Sequence, residues 1–144
     1  GYATLMGLIK NPEIFRCGVD WAGVTDLHLM FSAVESDASQ NQLNYGMKTL
    51  IGDPDADAAM FQANSPLANA AKLKQPLLLA HGAEDLRVPI VHASKFRDAV
   101  GKTNAQVEWI VYTDEGHGWR HEDDNIDFWR HVEVFLDKNL KQVH

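Results

Sequence analysis

The chain reads as an α/β protein, about three parallel strands with flanking helices. Three observations carry that reading. Leu77-Leu78-Leu79-Ala80 is an unbroken apolar run, as a strand buried on both faces requires. A second β-rich run, Val107-Glu108-Trp109-Ile110-Val111-Tyr112, comes after a segment with apolar residues at helical spacing. Strands that alternate with helices in this way build a parallel sheet. At 144 residues the chain is long enough for one domain with a real core, and it carries no internal repeat or low-complexity linker.

Taken in order, residues 3–10 predict a short apolar helix stopped by Asn11-Pro12, because proline disfavours helical geometry in the residue before it. Residues 15–22 come next as a β-rich run that ends at Gly23, with Cys17 as a small core residue of a buried strand. Residues 25–64 predict a helical excursion between two strands. Leu27, Met30, Phe31 and Val34 have helical spacing, residues 35–40 form a polar break, and a second helical stretch covers residues 43–51. Asp55 or Asp57 is placed to cap a further short helix running through Gln62. After the 77–80 strand, Pro89 opens a helix with Ile90, Ala93, Phe96, Arg97 and Val100 on one side, and Gly101 closes it. The last helix, about residues 124–140, carries Ile126, Trp129, Val132, Leu136 and Leu140 at helical spacing. Acidic residues at its start, with Lys138 and Lys141 at its end, suit the helix dipole.

Charge and composition narrow the function classes. Twenty acidic residues against 13 basic ones give a formal charge of -7, which opposes binding to a phosphate backbone. Lys and Arg form no cluster with interleaved aromatics, so nucleic acid is not an expected partner. No apolar run approaches the roughly 20 residues of a membrane span, so no membrane partner is expected either. A single cysteine cannot form an internal disulfide, which leans towards a reducing compartment such as the cytoplasm; a periplasmic location is also compatible. Gly1-Tyr2-Ala3-Thr4 reads as a chain entered in mid-domain.

The chemistry is concentrated in two loops. Gly82-Ala83-Glu84-Asp85 comes after the strand at 77–80, and Glu115-Gly116-His117-Gly118 after the strand at 107–112. Ligands and catalytic groups of parallel sheets gather beyond the carboxyl ends of the strands, where both loops fall. Asp85 is placed to accept a hydrogen bond from Nδ1 of His117, fixing the tautomer and stabilising the imidazolium formed when Nε2 takes a proton. Such a pair activates a hydroxyl nucleophile. None of Ser32, Ser36, Ser39, Ser65 and Ser94 has the flanking glycines of a strand-to-helix nucleophile turn, so the serine is expected outside this chain. A metal reading of His117 and His121, with His81, Asp85 or Glu122 as third ligand, is disfavoured because Gly118 and a loop boundary interrupt the pair. No metal and no cofactor are expected. His28, His92, His131 and His144 read as surface or helix-side residues.

With these motifs in view, the whole chain resembles the catalytic domain of the prolyl oligopeptidase family of serine peptidases, nearest its acylaminoacyl-peptidase and dipeptidyl-peptidase branches. Gly1-Tyr2-Ala3-Thr4 is similar to the residues just after the family's nucleophile. His81-Gly82-Ala83-Glu84-Asp85-Leu86-Arg87-Val88-Pro89 is similar to its acid loop, and Tyr112-Thr113-Asp114-Glu115-Gly116-His117-Gly118 to its base loop. The stretch from Asp127-Phe128-Trp129 through Phe135-Leu136 is similar to its closing helix.

The resemblance implies the C-terminal portion of an α/β-hydrolase fold, so that residues 1–144 form a single partial domain. It implies Asp85 as triad acid, His117 as general base and acid, and a serine three residues before Gly1. Arg87 is implied as a donor to a substrate carbonyl and Val88 as a pocket wall; Val24, Leu27 and Met30 are implied as further pocket walls.

The expected function is that of a serine-type exopeptidase or oligopeptidase on short peptides, with this chain inactive alone because nucleophile and oxyanion donors lie outside it. A carboxylesterase of the same fold, and a non-catalytic self-associating domain, remain alternatives. Three strands of a larger sheet leave an apolar edge, so a homodimer through that surface is expected. Sedimentation at micromolar concentration checks this, and a monomer would refute it.

Overall fold

The computed structural model describes residues 1–141. Strands β1 (Gly18–Trp21), β2 (Leu77–Gly82) and β3 (Val107–Tyr112) form one sheet in the order β1-β2-β3, with both pairings parallel. Every residue of β2 is buried, as expected of a central strand covered on both faces. The helices are α1 (Tyr2–Lys10), α2 (Leu29–Ser32), α3 (Lys48–Leu50), α4 (Ala58–Asn64), α5 (Val91–Val100) and α6 (Glu122–Leu140).

The period-2 alternation of β2 divides the core in two. Leu77 and Leu79 pack with Leu5, Leu8, Phe96 and Val100, so α1 and α5 cover one face. Leu78 and Ala80 pack with Tyr112, Trp119, Phe128, Val132 and Phe135, so α6 covers the other. The three-layer arrangement and the alternation of strands and helices agree with the sequence reading.

Several local expectations need correction. The buried stripe of α6 is Phe128, Val132 and Phe135, whereas Ile126, Trp129 and Leu140 are exposed. Both stripes obey the helical period, and packing against Leu78, Ala80 and Tyr112 of the sheet selects the one led by Phe128. Cys17 precedes β1 and is only half-buried.

In the excursion, residues Gln42–Met47 form a π-helix, α3 is a single turn, and Val34 is 99% exposed. Of the apolar residues in this segment only Leu27 and Phe61 are buried, and Tyr45 and Leu50 are exposed too. Asp57 does occupy the N-cap position of α4. Its carboxylate, however, accepts the amide of Asp53 rather than capping the helix. Gly101 ends α5 with a right-handed φ of -61, so its conformational freedom is not used there. His144 lies outside the described residues.

Candidate active site

The register of β2 and β3 sets the site. Gly82 lies opposite Tyr112, so both strands end at the same height and release their loops side by side. The loops are then bonded together: the amide of Ala83 donates to the Tyr112 carbonyl at 2.9 Å, and that of Glu84 to the Glu115 carbonyl at 2.9 Å. A Cβ on residue 82 would collide with the carbonyl oxygens of Glu115 and Gly116, so only glycine permits this approach.

Out of these loops come Asp85 and His117. His117 Nδ1 lies 2.8 Å from Asp85 Oδ2, with the Asp85 side chain fully buried and the His117 side chain 46% exposed. A carboxylate only accepts, so Nδ1 carries the proton and Nε2 is left as the basic nitrogen. The other oxygen of Asp85, Oδ1, accepts the amides of Arg87 at 2.9 Å and Val88 at 2.8 Å, which fixes the carboxylate plane. Gly118 has φ of +132, a conformation that favours glycine, and it pairs with Gly116 across the tip of the loop that holds the ring.

Beneath the ring, the fully buried Glu115 takes the amides of Arg120 at 2.8 Å and His121 at 2.7 Å, and the ring of His121 at 3.0 Å. Glu115, His121 and Asp124 are also the one group of metal-type donors that gathers among the described residues. The Glu115 oxygens are already occupied by these loop donors, so the group serves as a brace. Two residues past His117, Trp119 stacks on Trp21 at 5.3 Å and contacts Tyr112 and Phe128, anchoring the loop in the α6 core. Sequence reading named Glu115 only as part of the loop motif, without this role, and did not single out Trp119. The signal available was their proximity to the base, a buried-type aromatic and an acid flanking a Gly-His-Gly turn.

Of the residues implied for substrate contact, Val24, Leu27 and Met30 line one open cavity of about 430 Å³, together with Tyr2, Leu50, Ile51 and Met60. Arg87 lies elsewhere: it lines an adjoining cavity that shares Met30 and Leu50, and its Nε is 3.2 Å from Asp37 Oδ2. Val88 is 5% exposed and packs inside the acid loop, its amide on Asp85 and its carbonyl on His81. The amide of Asp37 also donates to the Leu86 carbonyl at 2.8 Å, which fastens the helical excursion to the acid loop.

Each serine is engaged within its own surroundings: Ser65 accepts the Leu27 amide, Ser36 that of Ala38 and Ser39 that of Gln42, while Ser32 and Ser94 donate to helical carbonyls. Among the described residues, none is hydrogen-bonded to His117.

Three further buried polar groups surround the strand ends. His92, expected at the surface, is fully buried, and its Nδ1 accepts the amide of Thr25 at 3.2 Å. Its place four residues before Phe96, on the same helical stripe, is the signal that points inward. Burial pulls His92 down to about 4 and also lowers His81. Asp20 lies buried between Gly1 and Gly23, where burial pushes its carboxyl up to about 7.

Known proteins resemble this chain over nearly its whole length. The family model described as Prolyl oligopeptidase family matches residues 1–143. Dipeptidyl aminopeptidase BIII of Pseudoxanthomonas mexicana is 36% identical over 140 residues, covering 94% of this chain and 20% of that protein. Dipeptidyl peptidase family member 6 of Caenorhabditis elegans is 31% identical over 142 residues, covering 97% of this chain and 19% of that protein. The chain thus spans about a fifth of the length of these relatives. Among solved structures, the Pyrococcus horikoshii acylaminoacyl peptidase superposes with a TM-score of 0.85 at 22% identity, over 99% of this chain and 23% of that one. At that identity the likeness speaks for the fold alone, an α/β architecture. Among the described residues no helix is long and apolar enough to cross a membrane.

The buried histidines make stability depend on pH. The unfolded chain protonates His92 near its ordinary 6.5, whereas the folded chain resists until about 4. The unfolded state therefore binds more protons in that window, and the stability is present above 6.5 and lost as pH falls towards 4. Asp20 works in the opposite direction, since its folded carboxyl takes up a proton first. The predicted outcome is that, in an Asp20→Asn background, acidification from pH 6.5 to 4.5 lowers the urea-derived unfolding free energy. Adding His92→Leu removes roughly 2 kcal/mol of that fall. Equal slopes with and without His92 would contradict it.

Proposed function

Because the chain belongs to the prolyl oligopeptidase family, we propose that Asp85 and His117 are the acid and the base of a serine peptidase active site whose nucleophile comes from residues outside this chain. The observation that carries the reading is the 2.8 Å contact between Asp85 Oδ2 and His117 Nδ1, with Asp85 buried and its second oxygen tied to two amides. This fixes which nitrogen of His117 is basic.

On this reading, Nε2 takes the proton of a serine hydroxyl as that oxygen attacks the peptide carbonyl, and the imidazolium so formed is stabilised by Asp85. The same proton then goes to the departing amine, and in the second half-reaction His117 activates a water that releases the acyl group. Asp85 stays ionised throughout, since its role is orientation and charge stabilisation.

The cavity walled by Val24, Leu27, Met30, Leu50, Ile51 and Met60 suits an apolar side chain of a short peptide substrate, the residue preceding the scissile bond. Arg87, now paired with Asp37 at the rim of the adjoining cavity, is proposed to turn to a substrate carbonyl when one is present. Its 69% exposure leaves the guanidinium free to move at little energetic cost.

The test uses the full-length protein that contains this chain, assayed on peptide p-nitroanilides and on matched p-nitrophenyl esters. His117→Ala and Asp85→Asn are each expected to lower kcat/KM by about 10⁴-fold, with protein folded and KM little changed. Retention of more than a tenth of the activity in either variant would sink the assignment, and ester turnover without amide turnover would favour an esterase.

A further inference from the structure

Behind the acid–base pair lie two histidines that the proposed reaction does not use. Strand β2 presents Leu77, Leu79 and His81 to one face by its period of two. Helix α5 presents His92, Phe96 and Val100 on one stripe at i, i+4 and i+8. Leu77, Leu79, Phe96 and Val100 share a single core cluster. His81 and His92 therefore cap the same sheet–helix layer at its carboxyl end, one from each side. Both are fully buried.

Their partners fix their tautomers. Nε2 of His81 lies 2.7 Å from the Val88 carbonyl oxygen, which can only accept, so Nε2 carries the proton and Nδ1 is a bare acceptor. Nδ1 of His92 accepts the Thr25 amide, so the proton of that ring is on Nε2. Burial keeps both rings neutral by lowering their basicity. The two atoms left over, His81 Nδ1 and His92 Nε2, are buried without a partner in the protein. One is an acceptor and the other a donor. A buried polar atom left unmatched is costly, and a donor and an acceptor can satisfy each other.

We propose that one water molecule accepts from His92 Nε2–H and donates to His81 Nδ1, and that the two rings are positioning residues joining the pocket loop to the catalytic acid. At one end of this linkage, Thr25 holds His92 twice, through its amide and through Oγ1, which donates to the His92 carbonyl at 2.7 Å. Thr25 stands between Val24 and Leu27, both of the pocket wall. At the other end His81 holds the Val88 carbonyl, the Val88 amide holds Asp85 Oδ1, and His81 Nε2 stands 3.5 Å from Asp85 Oδ2. Every link between Thr25 and Asp85 is neutral. The charge of Asp85 is thereby left for His117, while occupation of the pocket is mechanically linked to the acid loop.

The inference rests on Asp85 being the catalytic acid, but its test needs no activity, so failure of one is distinguishable from failure of the other. In this chain labelled with ¹⁵N, both rings are expected to be neutral with the proton on Nε2. A cross-peak from His92 Hε2 to a long-lived water indicates the bridge, and its absence overturns it. Amide hydrogen exchange supplies the second readout, referenced to Leu79 in β2 as a reporter of global opening. His92→Leu is expected to speed exchange at Val88, and His81→Leu at Thr25, each by about tenfold relative to Leu79. A proton on Nδ1 of either ring, or effects confined to the substituted residue's own loop, overturns the proposal. If either variant fails to fold, the tautomers of the unsubstituted chain decide alone.

Discussion

The structure depends on the close approach of two loops released at one height by adjacent parallel strands. With Gly82 opposite Tyr112, the acid loop and the base loop cannot avoid each other, and backbone bonds from Ala83 and Glu84 close the gap. The absence of a side chain at Gly82 lets the carbonyls of Glu115 and Gly116 sit where a Cβ would stand. The 2.8 Å contact between Asp85 and His117 results from this arrangement of backbone, and neither residue needs to reach for the other. A side chain at position 82 would force the loops apart and lengthen that contact without touching either functional group.

Around this junction two buried carboxylates have their hydrogen bonds satisfied locally. Glu115 is filled by amides of its own loop, and Asp85 is filled by two amides and a ring. Trp119 adds an apolar anchor, so that the base loop is fastened by a carboxylate on one side and an aromatic stack on the other. A loop held this firmly keeps the imidazole in one position. The helical excursion, by contrast, is fastened to the acid loop chiefly through Asp37, and its apolar residues are widely exposed.

The same physics decides which features were legible in the sequence. Strands β2 and β3 were readable because their apolar runs are short, uninterrupted and closed by glycine-containing loops. The loops that carry Asp85 and His117 were readable for the same reason, since a strand end announces where its loop begins. The face of α6 was not, because Ile126, Trp129 and Leu140 satisfy the helical period as well as Phe128, Val132 and Phe135 do. Packing against Leu78, Ala80 and Tyr112 of the sheet distinguishes them. The interior of residues 25–64 was blurred because little packs against it, leaving local propensity without a tertiary partner to sharpen it. His92 was misplaced because a histidine in a helix is most simply an outer residue; its inward stripe becomes evident only beside Phe96 and Val100. The pocket wall at Val24, Leu27 and Met30 came from resemblance to a family, and the cavity they share has additional walls at Leu50, Ile51 and Met60 that local sequence patterns do not reveal.

One claim supports the others: the neutral ring of His117 is held with its proton on Nδ1 by Asp85, leaving Nε2 to accept a proton from a hydroxyl. Nitrogen-15 chemical shifts of His117 measure this directly. The predicted result is the Nδ1–H tautomer, with an Nδ1 proton resonating well downfield of the amides and lost in Asp85→Asn. A neutral ring with its proton on Nε2, or a tautomer unchanged by Asp85→Asn, would contradict it.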